Sequence, residues 1–89
     1  MNWYVYMLRC RDNSLYTGST NDPEHRLAVH TAGKGAKYTK ARLPVTMVYL
    51  EVCEDKSAAM KREYAIKQLT KAEKEALIQT QTEPIPIAT

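Results

Sequence analysis

The sequence has few of the residues that mark several protein classes. Its 89 residues include two cysteines, three glycines and four prolines, too few for a disulfide framework, a collagen repeat or a low-complexity chain. Cys10 and Cys53 are far apart, each near the end of a predicted strand, and we interpret them as small buried hydrophobes. The P-loop spacing GxxxxGKS or GxxxxGKT is also absent. The disulfide-rich, fibrous and P-loop classes are therefore excluded.

Long apolar runs are missing as well. The longest apolar stretch near the N-terminus, Trp3 to Leu8, is far too short to cross a bilayer. It also lacks the basic region and the cleavage site of a secretory signal, so a cytoplasmic protein is expected. The length fits one small domain, which we assign to residues 1–79, and we expect residues 80–89 to form a flexible C-terminal tail.

Charge is unevenly distributed along the chain. The formal net charge is +3, but Arg9 to Arg42 hold seven basic and three acidic residues, whereas six bases meet seven acids from Leu43 onward. The first half therefore carries the positive field that an anionic polymer would meet. A solvated lysine-rich surface is the alternative explanation.

Local patterns predict an α+β domain with the element order ββαβαα on a small sheet. Residues 3–10 and 15–19 are rich in β-branched and aromatic side chains and flank turn residues at 11–14, which is typical of a β-hairpin. The first strand is apolar on both faces and should be covered on both sides. A third strand is predicted from Val45 to Cys53.

Capping residues predict three helices. Asp22-Pro23 is expected to open the first helix, which ends near Gly33 or Gly35 and is followed by a basic loop over residues 34–40. A second helix begins near residues 55–57. Residues 70–73 have the form of a capping box, so a third helix is predicted to run to about residue 78.

The hairpin register decides where Tyr6 and Tyr16 point. A two-residue turn places them on opposite faces of the sheet. A three-residue loop with Asn13 left-handed pairs Tyr6 with Gly18 and brings both hydroxyls to one face. The glycine is then expected to leave a hollow for a ligand above the phenol. Two core tyrosines beside a bulge glycine are the alternative.

Three further side chains are candidates for chemistry. Arg26 and His30 are four residues apart and project from one helix face, where they offer a fork of donors for phosphate and a group that exchanges protons near neutral pH. Glu63 falls within the apolar stripe of its predicted helix, as a carboxylate bound to a divalent cation would. A surface Arg–His pair and a Glu63–Lys67 ion pair are the alternatives.

The predicted basic loop interleaves bases, glycines and an aromatic ring, which suits a surface contacting phosphates and bases. A flexible solvated loop is the alternative. The candidate nucleic-acid contacts are Lys34, Lys37, Tyr38, Lys40 and Arg42.

Taken in order, these residues match a known family. Tyr4-Val5-Tyr6, ten residues before Tyr16-Thr17-Gly18 and followed by Arg26, His30 and Glu63, resembles the GIY-YIG nuclease superfamily, closest to its small stand-alone bacterial members. The resemblance spans roughly residues 3–78. It implies a three-stranded antiparallel sheet flanked by helices and metal-dependent cleavage of phosphodiester bonds in DNA.

The resemblance also implies a role for each matching residue. Tyr6 and Tyr16 match the paired tyrosines that position or deprotonate the attacking water. Arg26 matches the arginine that neutralises charge growing on the phosphate, and Glu63 matches the glutamate that holds a single divalent ion, Mg²⁺ or Mn²⁺. His30 stands where family members carry His or Tyr near the scissile phosphate.

Some positions depart from the family pattern. Gly18 matches the glycine that closes the second triplet, but Tyr4 replaces the first glycine and Ser19 stands where some DNA-repair relatives have a lysine. Two other functions are alternatives to the nuclease. A nucleic-acid-binding module of the same fold predicts salt-sensitive affinity without cleavage. A protein-interaction domain, with its tyrosine-rich face as the docking surface, predicts no affinity for DNA.

Overall fold

A three-stranded antiparallel sheet in the order β2-β1-β3 organises the protein. The structure is a computed structural model that describes residues 2–86. The elements are β1 (Trp3–Arg9), β2 (Leu15–Thr20), α1 (Pro23–Thr31), α2 (Lys37–Lys40), β3 (Thr46–Cys53), α3 (Lys56–Lys67) and α4 (Lys71–Gln79). The predicted α+β class, the antiparallel sheet and the order ββαβαα are confirmed, with the one-turn helix α2 as an addition.

The central strand β1 is buried on both faces, as its apolar alternation predicted. Tyr6 and Leu8 point to the side covered by α1, where they pack with Leu27. Val5 and Met7 point to the side covered by α3 and α4. We refer to these two sides as the tyrosine face and the α3 face. The sheet therefore separates two small cores, and β2 forms one of its edges.

The hairpin between β1 and β2 has the three-residue register. Asn13 adopts a left-handed conformation with φ of 70°, which Asn tolerates better than most residues. Tyr6 then lies opposite Gly18 and Leu8 lies opposite Tyr16. Because side chains alternate along a strand, Tyr6 and Tyr16 share the tyrosine face, as the three-residue loop predicted.

Capping side chains fix the helix starts at the predicted residues. Asp22 accepts a hydrogen bond from the amide of His25 at the start of α1, and Pro23 occupies the first turn. Asp55 caps α3 in the same way. The predicted capping box of Thr70 and Glu73 opens α4. These caps satisfy amides that have no partner within the helix.

The segment predicted as a basic loop contains a helical turn. Residues 37–40 form α2, so the loop prediction is wrong for these four residues. The Thr39 hydroxyl donates to the carbonyl of Ala36 at 3.0 Å, and the Arg42 guanidinium donates to the carbonyl of Tyr38 at 3.0 Å. These side-chain bonds to carbonyls three and four residues away brace the turn, and the local composition gave no sign of them.

An ion pair joins the start of α4 to the sheet. The Arg9 guanidinium donates to both carboxylate oxygens of Glu75, at 2.7 and 2.8 Å, and Lys71 adds a contact at 2.9 Å.

Within residues 2–86, no helix is long and apolar enough to cross a membrane. Ile85 packs against the core on the tyrosine face. The domain boundary at residue 79 and the flexibility of residues 80–89 stay predictions, and residues 1 and 87–89 lie outside the described part.

Candidate active site at the edge of the sheet

Three rings from three elements meet on the tyrosine face. The ring centroids of Tyr6 and Tyr16 are 6.5 Å apart, and the His30 ring lies 6.0 Å from the first and 5.3 Å from the second. Tyr6 comes from β1, Tyr16 from β2 and His30 from α1. Tyr6 and His30 are buried and Tyr16 is half-buried. The phenol of Tyr16 therefore lies nearer the solvent than the two groups behind it.

The Tyr6 phenol fills the space left by Gly18. A Cβ atom at Gly18 would lie 2.5 Å from the Tyr6 hydroxyl and 2.7 Å from Cζ. The expected hollow for a ligand is therefore wrong, because the aromatic ring itself occupies it. The glycine instead lets the phenol lie across β2, so that its hydroxyl comes close to the edge of the sheet.

His30 is a buried residue and not the surface histidine of the alternative interpretation. Its side chain is 0% exposed. Nε2 lies 3.0 Å from the Tyr6 hydroxyl and Nδ1 lies 2.8 Å from the hydroxyl of Thr39. Burial and the nearby Arg26 charge lower the pKa of His30 to about 4. The imidazole is therefore neutral at physiological pH, with both nitrogens hydrogen-bonded.

Two opposing effects act on the Tyr6 hydroxyl. Burial is the larger and raises the pKa of Tyr6 to about 12, whereas a hydrogen bond from Arg26 opposes the rise. The charges of Tyr16 and Glu63 add smaller increases to the pKa of Tyr6. Arg26, Tyr16 and Glu63 therefore all act electrostatically on this one oxygen. Arg26, on α1, is half-buried.

Glu63 reaches the site from the other face of the sheet. It lies on α3 and accepts a hydrogen bond from the hydroxyl of Ser19 on the edge strand β2 at 2.6 Å. Its second oxygen pairs with Lys67 at 2.7 Å, which is the ion pair that the helical spacing predicted. The Glu63 side chain is 21% exposed. Ser19 is adjacent to Gly18, so the carboxylate and the Tyr6 hydroxyl approach each other around the edge of β2.

The candidate nucleic-acid contacts fall into two groups. Lys34, Lys37 and Lys40 are exposed, and none of them forms an ion pair within residues 2–86. The Tyr38 ring stacks on Tyr16 with centroids 6.2 Å apart, and the Arg42 guanidinium lies 3.8 Å from the Tyr38 centroid, while 37% of Tyr38 is exposed.

Arg42 also pairs with Asp12 at 3.1 Å. The lysines therefore have free charge for phosphates, whereas a base could stack on Tyr38 only after displacing Arg42.

Comparison with known proteins identifies the family. The family model described as the GIY-YIG catalytic domain matches residues 2–76. The chain belongs to the GIY-YIG family. GIY-YIG nucleases act on DNA and generally depend on a divalent metal ion. The resemblance drawn from the two tyrosine triplets is therefore confirmed.

Relatives and solved structures share this domain over most of their length. A UPF0213 protein of Oceanobacillus iheyensis is 58% identical over 78 residues, covering 88% of this chain and 91% of the relative. One from Staphylococcus haemolyticus is 55% identical over 76 residues, covering 85% and 93%. The solution NMR structure of the UPF0213 protein from Bacillus halodurans matches with a TM-score of 0.61 and 44% identity, covering 94% of this chain and 89% of that one.

The donor set of this GIY-YIG domain fits a hard cation held by a single carboxylate. Within residues 2–86, no group of three or more His, Cys, Asp or Glu side chains comes together. Glu63 supplies a carboxylate and Ser19 an adjacent hydroxyl, both of them hard oxygen donors. Mg²⁺ is commonly bound by one or two carboxylates, with waters and substrate phosphates completing its shell. Lys67 would have to leave the second carboxylate oxygen.

Sequence reasoning gave no role in the site to three residues that the structure places there. Thr39 holds the Nδ1 atom of His30, Ser19 holds Glu63, and a Cβ at Gly35 would lie only 2.3 Å from Nδ1 of His30. Neither Thr39 nor Gly35 has a helical or strand spacing to His30, so no local signal connects them. Only Ser19, next to the second triplet, was placed near the site by sequence.

Proposed function

We propose that this chain is a metal-dependent nuclease that hydrolyses phosphodiester bonds in DNA, in repair, recombination or processing. The observation that carries the proposal is the environment of the Tyr6 hydroxyl. It lies over Gly18, contacts His30 at 3.0 Å, and is subject to the charges of Arg26 and Glu63. A cytoplasmic location stays a prediction.

Arg26 is the group suited to bind the scissile phosphate. Phosphodiester hydrolysis builds negative charge on the phosphate oxygens, and a guanidinium donates two parallel hydrogen bonds to such a group. Arg26 is half-buried and acts on the Tyr6 hydroxyl, whose pKa it lowers. A phosphate bound to Arg26 would therefore be close to the phenol that orients the attacking water.

Tyr6 would act as a protonated phenol that passes on a proton. With a pKa raised to about 12, the phenolate is scarcely populated at neutral pH. The neutral His30 is within hydrogen-bonding distance and can take the phenol proton as water gives up its own. His30 is fully buried, so it would act through Tyr6. The more accessible Tyr16 would help to position the water.

Glu63 is the residue that would hold Mg²⁺ or Mn²⁺. Such an ion, when bound, supplies Lewis-acid stabilisation to a phosphate oxygen or to the leaving oxygen. Ser19 donates to one carboxylate oxygen and so fixes the orientation of Glu63. The Lys67 side chain is 48% exposed, so water could take its place when the other oxygen binds the ion.

The exposed lysines beside the site would contact the DNA backbone. Lys34, Lys37 and Lys40 lie on the segment that also supplies Tyr38, which stacks on Tyr16. Backbone contacts of this kind are independent of base sequence and weaken as salt concentration rises. We therefore assign these lysines to strand binding and not to sequence readout.

A cleavage assay tests the proposal directly. The purified protein is incubated with labelled single-stranded, duplex and branched DNA and with RNA, in Mg²⁺, in Mn²⁺ and with a chelator. We expect metal-dependent DNA products from the wild type and none from Glu63→Ala or Arg26→Ala, with both variants folded. Glu54→Gln, which changes an exposed carboxylate just before α3, is the matched control and should cleave normally. Equal cleavage by Glu63→Ala would refute the site.

One observation favours the alternative of a binding module without catalysis. Both oxygens of Glu63 already have protein partners, Ser19 and Lys67. If these contacts persist in the complex with DNA, the Lys67 ammonium takes the place of a cation at the carboxylate. That function predicts salt-sensitive binding with no product in either metal.

A further inference from the structure

We propose that Thr39 is a positioning residue that holds His30 in the tautomer with its proton on Nδ1, leaving Nε2 to accept the proton of Tyr6. The catalytic consequence rests on the proposed function, whereas the tautomer does not. Thr39 lies on α2, nine residues after His30, and is fully buried. Thr39 reaches His30 only because the segment that contains α2 packs over the histidine.

The hydrogen bonds of Thr39 fix the direction of its contact with His30. A threonine hydroxyl has one hydrogen, and a backbone carbonyl can only accept. The Thr39 hydroxyl donates to the carbonyl of Ala36 at 3.0 Å. Its oxygen therefore accepts in the 2.8 Å contact with Nδ1 of His30. The hydrogen between them belongs to the imidazole.

The proton on Nδ1 determines what Nε2 can do. A neutral imidazole carries one ring hydrogen, so Nε2 presents a lone pair. The 3.0 Å contact with Tyr6 is then a hydrogen bond donated by the phenol. The Tyr6 oxygen remains free to accept from Arg26, which can only donate. Both contacts of the Tyr6 hydroxyl and the contact at Nδ1 of His30 are satisfied in this one arrangement.

Close packing keeps the arrangement in place. His30 and Thr39 are both 0% exposed. The backbone at Gly35 approaches the imidazole so closely that an added Cβ would lie 2.3 Å from Nδ1 and 2.8 Å from Cγ. Water therefore has no room to replace Thr39 as the partner of Nδ1. The opposite tautomer would set a lone pair on Nδ1 against a hydroxyl oxygen with no hydrogen to offer.

In catalysis the arrangement gives the proton a defined path. As the water oxygen bonds to phosphorus and the bond to the leaving oxygen breaks, the water proton moves to the Tyr6 oxygen. The original Tyr6 proton moves to Nε2 of His30, and Thr39 continues to accept from Nδ1. The proton returns through Tyr6 to the leaving oxygen or to solvent before the next turnover.

Nitrogen NMR of the ring tests the tautomer without reference to activity. In ¹⁵N-labelled wild-type protein near neutral pH, two-bond correlations should give His30 a pyrrole-like Nδ1 and a pyridine-like Nε2. His25, the other histidine, is exposed and serves as the internal control with mixed tautomers. A pyridine-like Nδ1 at His30 would overturn the proposal, whatever the enzyme assay shows.

Substitutions at Thr39 separate positioning from packing. Thr39→Val keeps the shape without the hydroxyl and should give mixed His30 tautomers and roughly tenfold lower kcat, with KM for DNA little changed. Thr39→Ser keeps the hydroxyl and should retain the wild-type tautomer and lose less kcat. A Thr39→Val protein with the wild-type tautomer would contradict the proposal. If that variant does not fold, the wild-type spectrum still decides. Failure of the wild type to cleave DNA would refute the function and leave the tautomer measurement intact.

Discussion

The contact between Gly18 and Tyr6 makes Gly18→Ala the sharpest perturbation of the site. The added Cβ would lie 2.5 Å from the Tyr6 hydroxyl, whereas ordinary contacts begin at 3.4 Å. The phenol must therefore retreat by about 0.9 Å. Tyr6 is only 1% exposed, so it has no open space to enter. The retreat would disturb the 3.0 Å hydrogen bond with His30.

The expected magnitudes follow from packing and positioning. Overpacking a core costs about 1–3 kcal/mol, and replacing a strand glycine by alanine recovers about 0.5–1 kcal/mol. The net loss of stability is about 0–2.5 kcal/mol, at most roughly 20 °C in Tm for a domain of this size. A displacement near 1 Å in a reacting group costs about 10²-fold in rate. The rate of cleavage should therefore fall by a much larger factor than the fraction of folded protein.

Two measurements check this prediction. Thermal unfolding gives the change in Tm, and DNA cleavage under conditions where the variant is fully folded gives kcat. Thr46→Ala, at an exposed position on β3, is the matched control and should change neither strongly. Gly18→Ala with normal kcat, or with a loss no larger than its unfolded fraction, would refute the reasoning.

Three further predictions concern pH, salt and an ion pair. The pKa of His30 is about 4 when folded and 6.5 as the unperturbed value, so the unfolded chain binds the proton first. Stability should fall as pH drops from about 6.5 to about 4, and denaturant titrations should show a shallower slope in His30→Gln. Replacing Lys34, Lys37 and Lys40 with alanine should weaken DNA binding and flatten its salt dependence by roughly 0.9 in slope per lost phosphate contact; an unchanged slope would remove them from the interface. Arg9 holds the pKa of Glu75 at about 2, so this ion pair should stabilise the fold until pH falls below 4.5, and Glu75→Gln should lower Tm at neutral pH without changing kcat.

The fold was predictable because its signals are local. Caps at Asp22 and Asp55, the capping box at residue 70 and the left-handed Asn13 each act within a few residues of chain. The register that brings Tyr6 and Tyr16 to one face depends on the length of the turn, which the sequence left open and the structure shows to be three residues. Resemblance to the family then related these elements to Arg26, His30 and Glu63, which lie far apart in sequence.

The details of the site were not predictable, because they depend on contacts distant in sequence. The burial of His30 comes from α2 closing over it, where Thr39 contacts the imidazole from nine residues further along the chain. The hollow expected at Gly18 was wrong because the position of a glycine does not say which group fills the space. Burial also raises the pKa of Tyr6, since desolvation outweighs the effect of Arg26, and the sequence alone does not show how deeply this side chain is buried.

The central claim is that Arg26 and Glu63 act on the same phosphate from opposite sides of the strand edge. A crystal structure of the Tyr6→Phe variant with uncleaved DNA and Mn²⁺ tests it most directly. We expect an anomalous manganese peak at the Glu63 carboxylate, with Lys67 displaced and a DNA phosphate on the Arg26 guanidinium. Manganese bound elsewhere, or DNA lying across another face with Glu63 still paired to Lys67, would contradict the account.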